Sequence, residues 1–398
     1  MNLAANVYTS VADLGGAWWH GSMHSTAPRT DLIVVGSGIL GLATAWHAHR
    51  DGRTVRVIDS ADRPVGSSIQ NFGHACFTGQ ADIVQPVAAR SRASWLAAAA
   101  DAGFWIAESG TTIPAVTETE ADILREFAAH RGTDQVTLLT GDAVAVALGN
   151  PDLDTVAGAV LPQDARVNPR EVAPALARWL AGQGVEFTWN TQVTEVADGT
   201  VVTNRGDFHA GRVVVCPGYR LAALFPDLAE KRQVRVCSLA MSLVDRPAGV
   251  PADLAMLSGT SLARYDGFAA MPSAPALREE LAVREPGLVD CVANLMATGT
   301  ADHLFIGDSH AYSLSPEPFI DEDIAGLLLD RASDLLGLGT PRVRQRWLGR
   351  YADSPDTNLV LEHPDEHTTV LVVTSGIGMT LSFGVAELAL AGESLSGF

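Results

Sequence analysis

Lysine is almost missing from this chain. Of 27 basic residues only Lys231 is a lysine, so a pocket for an anion would have to be built from arginines. Acids outnumber bases 46 to 27, for a formal charge of −19. That balance disfavours nucleic acid and anionic membrane as partners, because both repel an acidic surface. Cysteine is scarce too: Cys76, Cys216, Cys237 and Cys291 show no CxxC spacing. This argues against zinc ligation and against a disulfide framework, and fits reduced thiols in a cytoplasmic protein. No apolar run is long enough to span a bilayer. There is no repeat, no low-complexity tract and no obvious interdomain linker. The first 29 residues lack the basic start and continuous apolar stretch of a secretory signal. They read as a flexible extension, or as sequence ahead of a true start at Met23.

The richest segment runs from Asp31 to Asp59. Leu32-Ile33-Val34-Val35 reads as a short buried strand. Gly36-Ser37-Gly38-Ile39-Leu40-Gly41 follows at once and opens a helix over Leu42 to Arg50, with Gly52 as its stop. Val55-Arg56-Val57-Ile58 reads as a second strand, with Asp59-Ser60 at its end. This is a βαβ dinucleotide fingerprint with its parts in order. Gly36 permits the tight turn, Gly38 lets backbone approach a pyrophosphate, and Gly41 lets helix and strand pack closely. The helix N-terminus offers unpaired N–H groups to phosphates, and Asp59 can accept from ribose hydroxyls. The competing reading is a glycine-rich turn that binds nothing.

Downstream, the small and polar run Val65 to His74 reads as a loop. Ser91 to Ala107 and Glu118 to His130 read as helices. Asn168-Pro169-Arg170-Glu171 opens another helix, with Asn168 as its cap, ending near Gln183. Val213-Val214-Val215-Cys216-Pro217-Gly218 is an all-apolar strand running into a turn, as a buried parallel strand requires. Between Val234 and Asp308 strand-like pieces alternate with loops (Val236 to Leu243, Val289 to Met296, Leu304 to Gly307), which predicts an antiparallel sheet. Then Val370 to Val373 reads as a strand, Gly376-Ile377-Gly378 as a loop and Leu381 to Leu390 as a helix. Two α/β segments flanking a β-rich middle predict a discontinuous nucleotide domain.

In order and spacing these pieces resemble the D-amino acid oxidase, glycine oxidase and sarcosine oxidase (DAO) family of FAD-dependent oxidoreductases. The resemblance covers Asp31 to Glu393. It rests on the fingerprint through Asp59, on Arg166 to Arg170 with Gly184 to Phe187 and Thr191-Gln192-Val193, on Val214 to Gly218, and on Thr374 to Gly384. A closer likeness, to a subgroup associated with aminophosphonate breakdown, rests on Asn71-Phe72-Gly73, Gly79-Gln80, Ile306 to Tyr312 and Gly378 to Gly384. That subgroup would have an arginine where this chain has Gln70, and a more apolar stretch in place of His74 to Thr78. Its substrate therefore does not carry over directly.

The resemblance implies an α/β fold: a glutathione-reductase-like, Rossmann-type FAD-binding domain with an α+β substrate domain whose antiparallel sheet roofs the flavin. The expected division is an extension at 1–29, the FAD domain at 30–85, 155–230 and 345–398, and the substrate domain at 86–154 and 231–344. It also implies hydride removal from a C–N bond of a small amine or amino acid, giving an imine. Non-covalent FAD follows because Gly349 and Gln70 stand where some relatives carry a flavin-linked cysteine or histidine. Val193 corresponds to the strand residue that meets adenine, and Ser67 and Ser68 to a loop beside the isoalloxazine. Pro217-Gly218 and Gly376-Ile377-Gly378-Met379-Thr380 complete the expected cofactor set, the latter as a helix N-terminus that would stabilise negative charge on reduced flavin.

For substrate, Arg264-Tyr265 on a strand-like piece and Arg350-Tyr351 ahead of the final strands are candidates, since arginine matches carboxylate or phosphonate bidentately. His310, Tyr312 and His74 are candidate acid–base groups. For each, a surface ion pair or a structural histidine is the competing reading. The electron acceptor is oxygen or another oxidant. Sarcosine-type oxidases place an oxygen-activating lysine where this chain has Phe305, so a dehydrogenase is expected unless a protonated His310 substitutes. Homo-oligomerisation stays open. Outside this reading stand a flavin hydroxylase, an NAD-dependent dehydrogenase and a nucleotide-binding protein without chemistry.

Overall fold

The computed structural model describes residues 30–393. The extension at 1–29, with Met23, lies outside the described residues. Two large sheets organise what is described, beside a small one of His74–Ala75, Ala165–Val167 and Ile106–Ala107. In the first, Thr30–Val35 is the middle strand, parallel to Val55–Ile58 on one side and Gly206–Val215 on the other, so that Val34 faces both Val57 and Val214. Glu186–Thr188 and Thr368–Val373 extend the parallel set outward. Apolar on both faces, these strands need cover on both. Helices Ile39–Arg50, Gln85–Ala102, Pro169–Gly182 and Gly378–Ala391 supply much of it, through a core in which Phe383 meets Trp46 and Trp95 edge to face. The parallel strands come from five separate stretches of chain, which is the mixed α/β architecture expected. No described helix is long and apolar enough to cross a membrane.

The second sheet runs in the order Ala311–Ser313, Arg235–Asp245, His303–Gly307, Met296–Gly299, Ala255–Leu257, Thr111–Ala115, Ala157–Leu161, Thr137–Thr140, with Val343–Asp353 on the other side of Arg235–Asp245. It is antiparallel apart from one parallel bridge, Met256 to Thr112. Two of its strands, Ala157–Leu161 and Val343–Asp353, fall within or across ranges assigned to the nucleotide domain.

Several sequence expectations need correction. Val289 to Met296 is not a strand: Pro286 opens a short helix to Asp290, and the strand begins only at Met296. Arg264-Tyr265 sits in the turn between helices Gly259–Leu262 and Asp266–Ala269, where Ser258 forms a capping box that overrides local strand propensity. The helix read at Ser91 to Ala107 runs from Gln85 to Ala102, because Pro86 suits a first turn and Gly103 (φ 68°) ends it.

Arg166 fastens the layers. Fully buried, it donates to the carbonyls of Phe72 (2.8 Å) and Val167 (3.1 Å) and, through Nε, to Gly299 (2.7 Å) in the second sheet. Burial depresses its pKa to about 9, with Asp253 opposing.

Candidate active site

Residues of both sheets line one long cavity of about 550 Å³. All the candidate residues named from the sequence lie along it, from Gly36 to Gly41 at one end, past Asp59-Ser60, Val193 and Pro217-Gly218, to Gly376 to Thr380 and the Arg264, His310 and Tyr351 region at the other.

The first-sheet end follows from the fingerprint. Gly36 holds φ +103°, and a Cβ there would lie 2.5 Å from the Cys216 carbonyl. At Gly41 a Cβ would lie 2.0 Å from the Gly36 carbonyl, so strand and helix can touch only through glycine. The Asp59 carboxylate is fixed by its own chain: Oδ2 accepts from the Ser37 N–H (2.6 Å) and hydroxyl (2.7 Å), and Oδ1 from Ala61 N–H (2.8 Å). Ser68 Oγ accepts from Ile39 N–H (2.8 Å), so this hydroxyl caps the helix start rather than standing free in a loop. The Ser67 hydroxyl donates to the Arg350 carbonyl, tying the loop to the second sheet. Asn71 and Trp347 hold the same loop: Asn71 Nδ2 donates to Ser67 O (2.8 Å), and Trp347 Nε1 donates to Gln70 O (3.1 Å). The Val193 carbonyl accepts from Gln192 Nε2 (2.8 Å). Gly376, at φ +78°, brings its turn against the Tyr351 ring, 3.1 Å from where a Cβ would be. The Ser375 hydroxyl beside it is buried on the cavity wall without a partner among the described residues.

This end fits a flavin dinucleotide. The glycine turn leaves the space a Cβ would fill, a carboxylate sits at the end of the second strand, a second helix start (Gly378–Ala391) points at the middle, and an orphan hydroxyl faces the cavity. Cys216 lines the cavity, and burial pushes its pKa to about 12.

The second-sheet end follows from strand register. Cys237 lies between Tyr312 and Tyr351 on neighbouring strands, so the three share a face. Tyr312 receives a hydrogen bond from Arg264 Nη2 (3.3 Å), and the Arg235 guanidinium covers its ring at 4.3 Å. Burial works against the Arg264 charge, but the Tyr312 hydroxyl, Tyr351 and Asp308 outweigh it and hold its pKa above the ordinary value. Arg350, paired with Ser238, is one register position from Tyr351 and belongs to the opposite face of its strand.

His310 stacks on Tyr312, with ring centroids 6.2 Å apart, and donates from Nδ1 to the Val292 carbonyl (2.9 Å). Burial, helped by Arg264, lowers its pKa to about 3. His74 is likewise buried, with Nε2 2.6 Å from the Thr111 hydroxyl, which donates to Asp164 (2.7 Å). Burial and then Arg166 lower its pKa to about 3. Both shifts favour the neutral imidazole, so the surroundings work against a protonated His310, the condition under which it would substitute for lysine. Phe305, compared above with the lysine of sarcosine-type oxidases, belongs to a buried apolar core of the second sheet.

Sequence reasoning missed Asp308 and Asn294. Both line the cavity, both are held together by reciprocal backbone bonds (2.9 and 3.3 Å), and each has a side-chain oxygen, Oδ1, buried without a partner among the described residues. Asp308 falls within the Ile306 to Tyr312 stretch. What no local pattern shows is that Asn294 faces it across two strands.

A family model described as "FAD dependent oxidoreductase" (DAO) matches residues 31–391. No curated protein matches by sequence. Among solved structures, glycine oxidase from Geobacillus kaustophilus is 19% identical over 93% of this chain and 96% of its own, with a TM-score of 0.73. L-proline dehydrogenase from P. horikoshii is 17% identical over 92% and 94%, also at 0.73. Iminodiacetate oxidase from Chelativorans sp. BNC1 is 16% identical over 91% and 96%, at 0.70. At these identities the likeness is one of fold.

Proposed function

Because the chain belongs to the DAO family of FAD-dependent oxidoreductases, what remains is its substrate, and we propose a small amine or amino acid carrying an anionic group, carboxylate or phosphonate, whose C–N bond is oxidised to an imine. The observation that carries this reading is the position of Arg264. It is a guanidinium of the cavity's second-sheet end, raised in pKa and hydrogen-bonded to Tyr312, in a chain with almost no lysine to share the task. Glycine oxidase and iminodiacetate oxidase, two of the proteins sharing the fold, are named for substrates of this size and charge.

Gly36, Gly38, Gly41 and Asp59 would hold the dinucleotide, Val193 and Pro217-Gly218 its flanks, and Gly376 to Thr380 the flavin edge. FAD, when bound, supplies the oxidising equivalent. The protein's own part is to fix the anionic group at Arg264 and Tyr312, to wall the amine with Tyr265, Tyr351 and His310, and to keep both nearby histidines neutral. The Tyr351 ring lies against Gly376, which supports a substrate wall beside a flavin-edge turn. Four unpaired cysteines, three of them buried, support a reducing compartment such as the cytoplasm. The division into an FAD domain and a substrate domain is supported by the two sheets, with Val343–Asp353 as part of the second.

The test is the absorption spectrum of the purified protein and its anaerobic bleaching by amines bearing carboxylate or phosphonate. Bleaching by such an amine and not by NADPH is the expected result. Bleaching by NADPH alone points to a hydroxylase, and a colourless folded protein overturns the reading.

A further inference from the structure

We propose that Asp308 and Asn294 form an ammonium-recognition wall in the cavity that Arg264 also lines, making the pocket selective for zwitterions over simple anions. This deepens the substrate reading above and rests on it. Buried polar oxygens without partners are rare in folded proteins because each carries a desolvation penalty. Here two occur on adjacent residues of one wall. Asp308 Oδ1 and Asn294 Oδ1 are both buried, both without a hydrogen bond among the described residues, and both on residues that line the cavity. The backbone exchange between Asp308 and Asn294 holds them in fixed register. Both groups accept hydrogen bonds and neither oxygen can donate while Asp308 is ionised.

A third acceptor adjoins them. Because His310 donates through Nδ1 to Val292, its Nε2 carries a lone pair, and that atom lies 3.9 Å from Asp308 Oδ2. An alkylammonium has up to three N–H donors and one positive charge, which matches three acceptors and one carboxylate. A cation of the same cavity, Arg264, is an electrostatic neighbour of Asp308, with no ion pair between them. A guanidinium and a carboxylate lining one cavity without pairing to each other suit a ligand with both signs.

Ligand-free, Asp308 is held by burial at a pKa of about 7, with Arg264 opposing the shift. The groups facing it are Arg264 and Tyr265 from the helical turn, Tyr351 and Cys237 from neighbouring strands, Cys291 from the preceding loop, and His310 on its own segment. Tyr265, Tyr351, Cys237 and Cys291 are raised, Arg264 stays charged, and His310 is depressed to about 3. Nearby Asp266 is also raised by burial, but from an exposed position. Asp308 is thus the facing group that changes charge near neutrality.

The experiment uses the FAD-loaded protein under anaerobic conditions, with ligand binding read from the flavin spectrum. The probes are matched pairs that differ by the amine: glycine and acetate, β-alanine and propionate, 2-aminoethylphosphonate and ethylphosphonate, with butylamine as a cation lacking the anion. In the wild type, the amine member of at least one pair should bind at least about tenfold tighter than its partner. In Asp308→Asn that preference should vanish, while the plain anion binds as well or better. A preference that survives in Asp308→Asn overturns the proposal, as does its absence from every wild-type pair. Binding of butylamine without any of the anions would keep the ammonium wall and overturn the Arg264 anchor instead. If Asp308→Asn does not load FAD, the wild type still decides. Propionate stays ionised between about pH 6 and 8.5, and its binding should tighten as pH falls through that range. A flat profile overturns the proposal.

Discussion

The Arg170 guanidinium lies over the Phe305 ring, 5.3 Å from its centroid, and over Trp347 at 4.7 Å. It also donates to Gln345 (2.7 Å). That charge, beside the residue compared above with the lysine of sarcosine-type oxidases, is therefore engaged with two aromatic faces and an amide. Burial favours neutral His310, and Arg264 lies within electrostatic range of Asp308. Stabilising superoxide as it forms needs an uncommitted cation in a dry site. Reduced enzyme should reoxidise slowly in O2 and quickly with an artificial acceptor in stopped-flow measurements. Rapid reaction with O2 that persists in His310→Ala would locate the activating charge elsewhere.

Cofactor loading should depend on the glycines in graded fashion. At Gly38 a Cβ would approach only Ser68 Oγ, at 3.1 Å, so Gly38→Val should fold yet lose the flavin, the side chain occupying the pyrophosphate's space. At Gly41 the obstacle is backbone at 2.0 Å, so Gly41→Ala should lower Tm as well as loading. In the wild type, acid precipitation should release all the yellow colour as FAD. Colour left in the pellet would indicate a covalent bond.

Arg264→Met should raise KM by about 30- to 1000-fold, equivalent to roughly 2–4 kcal/mol for a charge-assisted contact. Tyr312→Phe, which removes only the orienting hydroxyl, should cost about tenfold or less. Arg350→Met should have the smaller effect of the two arginine changes, since strand alternation turns it from the Tyr351 face. An unchanged KM in Arg264→Met with activity intact would remove it as the anchor.

Two substitutions should tilt stability in opposite directions with pH. Asp308 has a folded pKa of about 7, above the carboxylate value of the unfolded chain, so the wild type gains stability relative to Asp308→Asn as pH falls from about 7 to 4. His310 has a folded pKa of about 3, so the unfolded state takes up its proton first, and the wild type loses stability relative to His310→Gln as pH falls from about 6.5 to 3. Each slope approaches about 1.4 kcal/mol per pH unit. Parallel Tm-against-pH curves for wild type and variants would refute the burial assigned to these groups.

Away from the cavity, Glu120 is buried, accepts from Val116 N–H (2.7 Å) and pairs with Arg284. Burial raises its pKa and Arg284 offsets part of that rise. Arg284→Met strands the carboxylate and should cost about 3 kcal/mol. The double change Glu120→Gln with Arg284→Met should recover much of it in denaturant unfolding. No recovery would mean that packing of the Arg284 stem dominates.

The first sheet and its glycine turn were legible in the sequence because their signals are local. Four apolar residues from Leu32 to Val35 come first, then Gly36, Gly38 and Gly41 at fixed spacing, then Asp59 at the end of the next apolar run. The second-sheet end was less legible. Arg264 looked strand-borne because the capping of Gly259–Leu262 by Ser258 is a property of side-chain geometry, not of hydrophobic period. His74 looked free to move protons, yet its partners Thr111 and Asp164 come from far along the chain. Asp308 and Asn294 meet only through the pairing of Met296–Gly299 with His303–Gly307.

The carbonyls gathered by Arg166 set a limit on how ligands reach the cavity. One guanidinium, deep in the protein and without a carboxylate in contact among the described residues, is solvated by Phe72 and Val167 on one side and by Gly299 on the other. Swinging the layers apart as rigid bodies would break the contact with the Gly299 carbonyl and cost that buried charge part of its shell. Traffic into the site must then pass by local rearrangement of wall segments, and turnover should be insensitive to changes that stiffen the layers against one another.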